Sequence, residues 1–460
     1  MTSKTSFSLS PNDVVLRTLV SKECRELATS RAWIILLVVL GPLVGHAFIT
    51  AVDSYAEVSG AGGGPTALAQ GVSPLDGIIV PTFGAYAIAV TLLFPFVAIR
   101  LVSAEKQNGA LKLLLQAPVS LGAMVWVKLL VLVAAWVLAW VPGIIALLLW
   151  RMYGGHIAGA ELSSVLTGHL LRAALTCALA MMAASVTDNA ATAAVVTLAI
   201  TLGTWALDFI AQVRGGVALA LDEFTPESAL RTFESGEIRL ALILVTLVLV
   251  AGAVGVTIWC LHIGWTRRRR ILMTFTTVLG SGLLAWFATN ARTSWDASED
   301  RRNSFPHADE RALAAIRDPL HITVYLAPED PRLADLQRGV LRKLRRTMRE
   351  VDVKYISRGG SGLFARPGEH YGEIWYVIGT RRAMTRSTTE PIVLETVYDV
   401  AGITPPTSDA GTAYPGYPLV ARARGVALIF YFLWPALVLA TWWWSRRPRH
   451  TTDRIPQRPQ

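Results

Sequence analysis

The sequence has few charged residues and few cysteines, and both shortages limit what the protein can be. Asp, Glu, Lys and Arg make up 17% of the 460 residues, against about 25% in soluble domains, whereas 53% are hydrophobic. The mean hydropathy of +0.44 excludes a disordered chain and argues against a purely soluble one. Cys24, Cys177 and Cys260 are far apart and form neither a CxxC pair nor a zinc spacing, so no disulfide framework is expected.

The sequence also lacks the common catalytic motifs. It has no GxxxxGK[ST] loop to hold the phosphates of ATP and no GxSxG turn to present a nucleophile. The eight histidines are scattered, without an HExxH pattern. His307, His321 and His370 fall within one polar stretch, but ordinary surface or core histidines explain them better. The sequence therefore predicts no enzyme active site, no metal site and no cofactor held by this chain.

Long apolar runs are the dominant feature of what is present. A bilayer core about 30 Å thick needs about 20 apolar residues in a helix that rises 1.5 Å per residue. Eight runs have about that length, near residues 32–51, 78–101, 123–150, 165–187, 191–212, 238–263, 271–289 and 425–444. The sequence therefore predicts a polytopic α-helical membrane protein with about eight spans.

The basic residues indicate which ends of the spans face the cytoplasm. They cluster before the first span, between the second and third, between the sixth and seventh, and after the eighth, whereas residues 53–76 contain no Lys or Arg. Because Lys and Arg collect on the cytoplasmic side, eight spans with both termini in the cytoplasm place every cluster there. The net charge of +10 then requires no nucleic-acid partner.

A helical pattern precedes the first span. Apolar residues recur at helical spacing, and basic residues occupy the other faces: Leu16, Leu19, Val20, Cys24 and Leu27 against Arg17, Lys22 and Arg25. This pattern predicts an amphipathic helix that lies along the inner membrane surface. The alternative is a cytoplasmic helix that packs on another subunit.

The only long polar stretch, residues 290–424, lies outside the cytoplasm in this topology. Alternating residues predict strands at 321–326 and 351–356, joined by a helix at 330–350 and paired in parallel. A hairpin at 373–378 and 382–386 and a helix at 390–400 follow, and residues 402–418 form a linker rich in Pro and Gly. These elements predict a small extracytoplasmic α/β domain, for which a thioredoxin-like fold without a CxxC pair is one candidate.

The loop between the second and third spans carries the most informative motif. Residues 103–119 have the sequence SAEKQNGALKLLLQAPV, which predicts a short amphipathic helix that Pro118 helps to end. Glu105 and Gly109 near its start offer a charged group and a point of close approach for a partner. On periodicity alone, an interfacial connector is the alternative.

This loop resembles the pattern E-x-x-x-G-T-L-x-x-L-L-x-x-P-V of the ABC-2 type transporter permeases. The matching positions are Glu105, Gly109, Leu111, Leu114, Pro118 and Val119, and Ala110 replaces the usual threonine. The helix before the first span and the first six spans also fit that architecture. The resemblance implies that the loop faces a separate ATPase subunit, which would bind ATP and Mg²⁺, and that the motif residues transmit its motion.

Residues 293–405 resemble the auxiliary subunit of gliding-motility type ABC transporters. The resemblance rests on Trp295-Asp296, Ser304-Phe305, the strand at 321–326 and the helix after Asp330. That subunit has an outer α/β domain between two terminal spans, which implies that the seventh and eighth spans are fused behind the permease. The predicted domains are an interfacial helix (1–31), a six-span permease (32–264), a basic loop and seventh span (265–289), the auxiliary domain and linker (290–424), and an eighth span with a basic tail (425–460).

Arg172 in the fourth span and Asp208 in the fifth are ionisable residues that fall within apolar runs. A charged side chain at mid-membrane costs about 2.5–3.5 kcal/mol on insertion scales, so such residues are rare there. The two positions differ by about four residues of depth, or ~6 Å, which a long arginine can span. This predicts an Arg172–Asp208 pair that braces the outer halves of the helices; independent solvation at the outer headgroups is the alternative.

Together these features predict the membrane-spanning subunit of an ABC transporter, in the bacterial cytoplasmic (inner) membrane. A separate ABC ATPase and a second membrane subunit, either an identical copy or a related permease, are the expected partners, and export of an unidentified substrate is the expected activity. Two other classes of function stay open: an ATP-driven mechanical transmitter to an envelope partner, and a scaffold without an ATPase. A basic cluster in the outer domain would meet an anionic partner or form a solvated helix face: Arg342, Lys343, Arg345 and Arg346.

Overall fold

The computed structural model describes residues 11–61, 72–110, 116, 119–214, 224–262, 264–327, 330–356, 370–406, 414 and 416–446. Among them, eight helices are long and apolar enough to cross a membrane. In chain order these spans are Arg31–Ser59, Leu75–Gln107, Leu121–Met152, Gly159–Val186, Ala190–Leu207, Leu240–Leu261, Arg267–Ala288 and Val426–Ser445. The predicted helical multi-pass architecture is confirmed.

The second and third spans are each interrupted close to a proline. The second consists of a π-helical turn Leu75–Ile79, a helix Val80–Leu92 and a helix Phe94–Gln107, with Pro95 just after the break. The third consists of helices Leu121–Leu138 and Val141–Met152, with Pro142 just after the break. Proline lacks an amide hydrogen and its ring clashes with the preceding turn, so each helix is interrupted immediately before it.

The interruption in the third span is stabilised by a side chain from the second. The Tyr86 hydroxyl donates to the carbonyl of Ala139 at 3.1 Å and accepts from the amide of Gly143 at 2.9 Å. Both backbone groups flank the break, and the tyrosine is fully buried. The hydroxyl thus takes the place of the helical hydrogen bond between the Gly143 amide and the Ala139 carbonyl, which is open at the break.

The N-terminal helix, Pro11–Thr29, packs against the first three spans of the same chain. Its buried stripe consists of Leu19, Glu23 and Leu27, which recur every four residues on one face. Val20 and Cys24, expected on the apolar face, are exposed. The face is turned relative to the sequence prediction because it buries Glu23, whose carboxylate meets charged groups of the bundle.

A two-stranded sheet connects the bundle to the α/β domain. Strand β1, Glu237–Arg239, precedes the sixth span, and β2, Ser294–Asp296, follows the seventh. The two strands pair in antiparallel fashion, with Ile238 opposite Trp295. The segment after β2 is therefore held against the ends of the fourth and sixth spans.

The α/β domain contains a four-stranded sheet of β3 (Leu320–Val324), β4 (Val351–Tyr355), β5 (Ile374–Ile378) and β6 (Arg381–Thr385). The strand order is β4-β3-β5-β6; β3 and β4 run parallel, whereas the other neighbours are antiparallel. Helices His307–Ala315, Pro331–Leu336, Arg342–Thr347 and Glu390–Ala401 accompany the sheet, with a π-helical turn at Gln337–Leu341. The strand–helix–strand unit, the hairpin and the last helix all appear where the sequence predicts them.

The basic cluster of this domain is partly neutralised within the domain itself. Lys343 Nζ lies 2.7 Å from Glu390 Oε2, and Arg346 Nη2 lies 2.7 Å from Glu310 Oε1. Lys343 is also buried beside the Phe305 ring. Two of the four cationic side chains therefore support the fold of the domain and are not presented together to an anionic partner.

The seventh and eighth spans pack on different parts of the bundle. The seventh packs on the sixth, where the indole of Trp259 donates to Thr277 Oγ1 at 2.9 Å. The eighth packs on the first, where the indole of Trp434 donates to the carbonyl of Leu37 at 2.8 Å. None of the described side chains of the seventh span is buried within the protein. This exposure is suitable for a helix surrounded mainly by lipid.

Two glycines of the first span allow the eighth span to approach closely. A Cβ added at Gly41 would lie 2.1 Å from Trp434 Cδ1, and one at Gly45 would lie 2.2 Å from Phe430 Cβ. Small residues four apart form a groove that lets membrane helices pack at short distance. The eighth span therefore packs into the groove formed by Gly41 and Gly45, which we call the Gly41–Gly45 groove.

We expect Gly41→Leu and Gly45→Leu to displace the eighth span, because neither side chain has room. Overpacking of this kind costs about 1–3 kcal/mol, which should lower the thermal unfolding midpoint of the detergent-purified protein. Gly203→Leu in the fifth span is the matched control, since a Cβ there meets nothing within 4 Å. Equal midpoints for the groove variants and the control would contradict this packing.

Candidate functional site

A cluster of charged side chains is buried where the N-terminal helix meets the second and third spans. Glu23 lies on the N-terminal helix, Glu105 in the last turn of the second span, and Lys128 about two turns into the third. Their side chains are 0%, 5% and 3% exposed, respectively. Lys22, with a side chain 32% exposed, closes the cluster toward solvent. We call these four residues the ion network.

The ion pairs of the network are shared between elements. Lys128 Nζ lies 2.8 Å from Glu23 Oε1 and 2.9 Å from Glu105 Oε1. Lys22 Nζ also pairs with Glu105 and lies 3.2 Å from Glu23 Oε1. Both ammonium groups thus bridge the same two carboxylates. As a result, the N-terminal helix, the end of the second span and the start of the third are joined by one set of charges.

Burial makes this network costly to disrupt. Removing one member of a buried ion pair costs about 3–5 kcal/mol, because the remaining charge is left without a partner away from water. Burial by itself lowers the pKa of Lys22, but the carboxylates of Glu105 and Glu23 outweigh that effect and raise the pKa above its ordinary value. Lys22 therefore stays charged throughout the physiological pH range.

Carboxylate oxygens of Glu23, Glu26 and Glu105 lie within 4.8 Å of one another, close enough to share a cation. The Lys22 ammonium already contacts all three, at 3.4 Å in the case of Glu26 Oε1. Lys128 contacts two of them. The lysines thus bring the positive charge that a metal ion would otherwise supply, and the group functions as a structural ion network.

Lys106 attaches the same end of the second span to the fourth. Its ammonium donates to the carbonyls of Ala184, Ser185 and Thr187 at 3.2, 3.1 and 2.6 Å. The last carbonyls of a helix have no partner within it, and a cation at this end is favourable. The start of the 103–119 loop is therefore held on two sides, by Glu105 and by Lys106.

The structure describes only part of the predicted loop motif. The helix of the second span ends at Gln107, and Gly109 has φ +73°, a left-handed conformation that favours glycine. A Cβ at Gly109 would meet no atom within 4 Å, so the turn rather than packing requires the glycine. Leu111, Leu114 and Pro118 lie outside the described residues.

Glu105 is not presented to solvent as the charged group that the sequence suggested. Its carboxylate points into the ion network, so its influence on the loop acts through Lys22 and Lys128. Sequence reasoning used these lysines only as topology signals and missed Glu23. The available signals were the position of Lys128 inside an apolar run and that of Glu23 on the stripe between Leu19 and Leu27.

Arg172 lies in a second polar site, on the fourth span. Its Nη1 lies 2.7 Å from Glu227 Oε2, and its Nη2 donates to Thr91 Oγ1 at 2.9 Å. Glu227 belongs to the helix Pro226–Glu234, which precedes the sixth span and packs on the fourth. The side chain of Asp208, the partner that the sequence suggested, lies outside the described residues. Glu227 was missed because it is in no apolar run.

The helix Pro226–Glu234 is held to the fourth span by further contacts. The Ser164 hydroxyl donates to the carbonyl of Phe233 at 2.7 Å, and Gly168 leaves room for the Phe233 ring. Buried His169 has its Nε2 3.5 Å from Glu234 Oε1. A polar helix is thus folded back against the bundle, and Arg172 is neutralised at its first turn.

Residues 17–259 match the family model of the ABC-2 family transporter protein, which covers more than half of the chain. The chain belongs to the ABC-2 transporter family. Members of this family are membrane subunits of transporters and are generally not catalytic themselves. Membership of the family implies an ABC ATPase partner. Comparison with curated proteins and with solved structures gave no match.

Both polar sites lie inside the part of this ABC-2 protein that matches the family. The match includes all four residues of the ion network and the Arg172–Glu227 pair. It ends near the last residues of the sixth span. The seventh span, the α/β domain and the eighth span follow it, so they are an addition to the family domain in this chain.

We expect Lys128→Met to destabilise the ABC-2 protein strongly, because Glu23 and Glu105 would stay buried with one cation fewer. The free energy of unfolding should fall by about 3–5 kcal/mol, measured by denaturant titration in detergent. Adding Glu23→Gln should recover part of this loss. Arg100→Met, at an exposed arginine of the second span, is the control. Similar losses for Lys128→Met and Arg100→Met would contradict a buried network.

The partner of Arg172 can be tested by reversing charges. Arg172→Glu should destabilise the protein because two carboxylates would face each other, and Glu227→Arg in the same chain should restore stability by re-forming the pair. Arg172→Glu with Asp208→Arg should show no such recovery. Thermal unfolding of the purified variants measures both. If Arg172→Glu recovered stability with Asp208→Arg but not with Glu227→Arg, the partner of Arg172 would be Asp208.

Proposed function

We propose that this ABC-2 protein is driven by a separate ABC ATPase that binds the 103–119 loop, and that the ion network passes the motion of this loop to the N-terminal helix and the third span. The observation that carries the proposal is the burial of Glu105 between Lys22 and Lys128, two residues before the second span ends. If the loop and Glu105 moved while the N-terminal helix and the third span stayed in place, opposite charges would be separated away from water. This separation is unfavourable at low dielectric. The connected elements therefore move together.

The interrupted spans give this motion a place to occur. Pro95 and Pro142 divide the second and third spans, so the parts joined by the network can tilt relative to the far halves. Tyr86 bridges the break in the third span by two hydrogen bonds that can be exchanged as the angle changes. In this proposal, closure of the ATPase pair tilts the near halves of both spans.

We place both termini and the 103–119 loop in the cytoplasm of a bacterial cell, in the inner membrane, and the α/β domain outside. The distribution of basic residues supports this orientation. The N-terminal helix, the end of the second span and the end of the fourth span are in contact at one end of the bundle. The α/β domain contacts the opposite ends, through Asp76 and Glu161.

We infer that the seventh span, the α/β domain and the eighth span correspond to the auxiliary subunit of gliding-motility type transporters. The strand–helix–strand unit with parallel β3 and β4, followed by the β5–β6 hairpin and a final helix, supports a thioredoxin-like fold. Residues 290–424 contain no cysteine, so a redox activity of this domain is not proposed.

Transport, in the export direction, is the proposed activity, and two such membrane subunits, identical or related, form the transporter. Mechanical transmission is the second candidate, because the α/β domain is attached to the bundle by polar contacts. The Glu299 amide donates to Glu161 Oε1 at 2.9 Å, and His156 Nε2 lies 2.7 Å from Glu299 Oε1. Arg302 pairs with Asp76. Motion of the bundle would reach the domain through these contacts. ATP-dependent uptake into vesicles holding the inverted complex distinguishes transport from transmission.

Copurification tests the ATPase partner directly. The full chain, affinity-purified from its native membranes, should retain a nucleotide-hydrolysing subunit. Gly109→Val should reduce the retained ATPase activity about tenfold, because a β-branched residue is strained at positive φ by roughly 1–2 kcal/mol. Gly264→Val is the matched control: Gly264 also has positive φ and open space, but lies between the sixth and seventh spans.

Two results would overturn the proposal. If the unaltered chain retained no ATPase, a scaffold function would be supported instead. If Gly109→Val and Gly264→Val retained the same ATPase activity, the 103–119 loop would not be the contact.

A further inference from the structure

A large cleft lies where the end of the first span meets the stretch before the eighth span. Its volume is about 710 Å³, within the range of small-molecule sites. One wall consists of Asp53, Ala56 and Glu57, and the other of residues 420–424. The cleft therefore joins the family domain to the part of the chain that follows it.

The two walls carry opposite charges that do not meet. Asp53 and Glu57 lie one turn apart on the first span, and Arg422 and Arg424 alternate along the opposite wall. Within the described chain, no arginine nitrogen of this wall is within 4.0 Å of a carboxylate oxygen, and none of the four side chains hydrogen-bonds another side chain. The described lining of the cleft thus has two negative and two positive groups, all exposed, with space between them.

The walls are fixed in place by packing on either side of the cleft. The eighth span is seated in the Gly41–Gly45 groove of the first, and Phe430 is fully buried there. The Tyr55 hydroxyl donates to the carbonyl of Tyr417 at 2.5 Å, which holds the approach to residues 420–424 against the same span. The cleft is accordingly built into the fold, because the backbone on both of its sides is held by these contacts.

The position of the cleft indicates the environment of its occupant. The eighth span begins at Val426, two residues after Arg424, and Asp53 and Glu57 lie in the last turns of the first span. Both charged walls are therefore at the level of lipid headgroups. Between the charges the lining is apolar, from Ala56, Val420, Ala421 and Ala423.

We propose that this cleft binds the headgroup of a zwitterionic phospholipid with a primary ammonium group, such as phosphatidylethanolamine. The ammonium donates to Asp53 and Glu57, and the phosphate accepts from Arg422 and Arg424. Arginine suits phosphate because its planar fork presents several donors. An anionic lipid without an ammonium group, such as phosphatidylglycerol, would leave both carboxylates unsatisfied, and a water-soluble zwitterion would leave the apolar lining uncovered.

Such a lipid would join two parts of the chain that are otherwise connected here by helix packing and by the Tyr55–Tyr417 and Trp434–Leu37 hydrogen bonds. Its headgroup would bridge the first span and the segment that leads to the eighth, which adds charge-assisted bonds to the Gly41–Gly45 contact. The inference rests on the cleft and its charges and does not depend on the ATPase proposed above.

Native mass spectrometry of the full chain in detergent tests the site. The protein is titrated in parallel with phosphatidylethanolamine, phosphatidylcholine and phosphatidylglycerol. Phosphatidylethanolamine should bind most tightly, and each neutralised wall should weaken its binding about tenfold: Asp53→Asn with Glu57→Gln, and Arg422→Gln with Arg424→Gln. Removing only the acidic wall should also reverse the preference toward phosphatidylglycerol, because two arginines would remain.

As controls, matched variants remove the same number of acidic or basic groups from the α/β domain, away from the cleft. Four exposed residues of the α/β domain, changed as two pairs, should leave binding unaffected: Glu395→Gln with Asp399→Asn, and Arg345→Gln with Arg349→Gln. Thermal midpoints measured without added lipid verify that the wall variants fold.

Three outcomes would overturn the proposal. The first is equal binding of phosphatidylethanolamine by the wall variants and the matched variants. The second is a preference of the unaltered chain for phosphatidylglycerol. The third is competition by glycerophosphoethanolamine at the same concentration as the lipid, which would show that the ligand is a soluble zwitterion.

Discussion

Two carboxylates buried against shared lysine ammonium groups, one of them also buried, are the constraint on which the rest of the bundle depends. Lys128 cannot lie inside an apolar span without counterions, and Glu23 and Glu105 supply them from two other helices. The N-terminal helix is therefore held to the bundle by charge as well as by its leucines. Glu105 lies two residues before the second span ends, so the network is next to the start of the loop after Gln107.

The part of the chain beyond the family match is attached to the bundle by several separate contacts. The seventh span packs on the sixth, and the eighth packs on Gly41 and Gly45 of the first. Strand β2, after the seventh span, pairs with β1, before the sixth. Around β2, Asp296 accepts hydrogen bonds from Ser298 and Ser304, which outweigh burial and lower the pKa of its carboxyl group. The α/β domain is thus attached on more than one side.

Local patterns predicted the spans and the strands, and long-range pairing explains what they missed. Apolar length and alternation are properties of neighbouring residues, so they predicted eight helices and the elements around β3. The partners of Glu105 and Arg172 come from distant helices, which periodicity does not reveal. The amphipathic pattern before the first span was correct as a helix, but Glu23 on the buried stripe shows that polar residues can be the inward ones.

The central claim, that the network moves as one body, is tested most directly by spin-label distances in the complex with its ATPase. Labels at Arg25→Cys and Trp126→Cys, both exposed, report on the N-terminal helix and the third span, and Val195→Cys reports on the fifth; exposed Cys24 is replaced by serine. The account predicts that ATP leaves the distance between positions 25 and 126 unchanged while the distance between 126 and 195 changes. A change between positions 25 and 126 would contradict it.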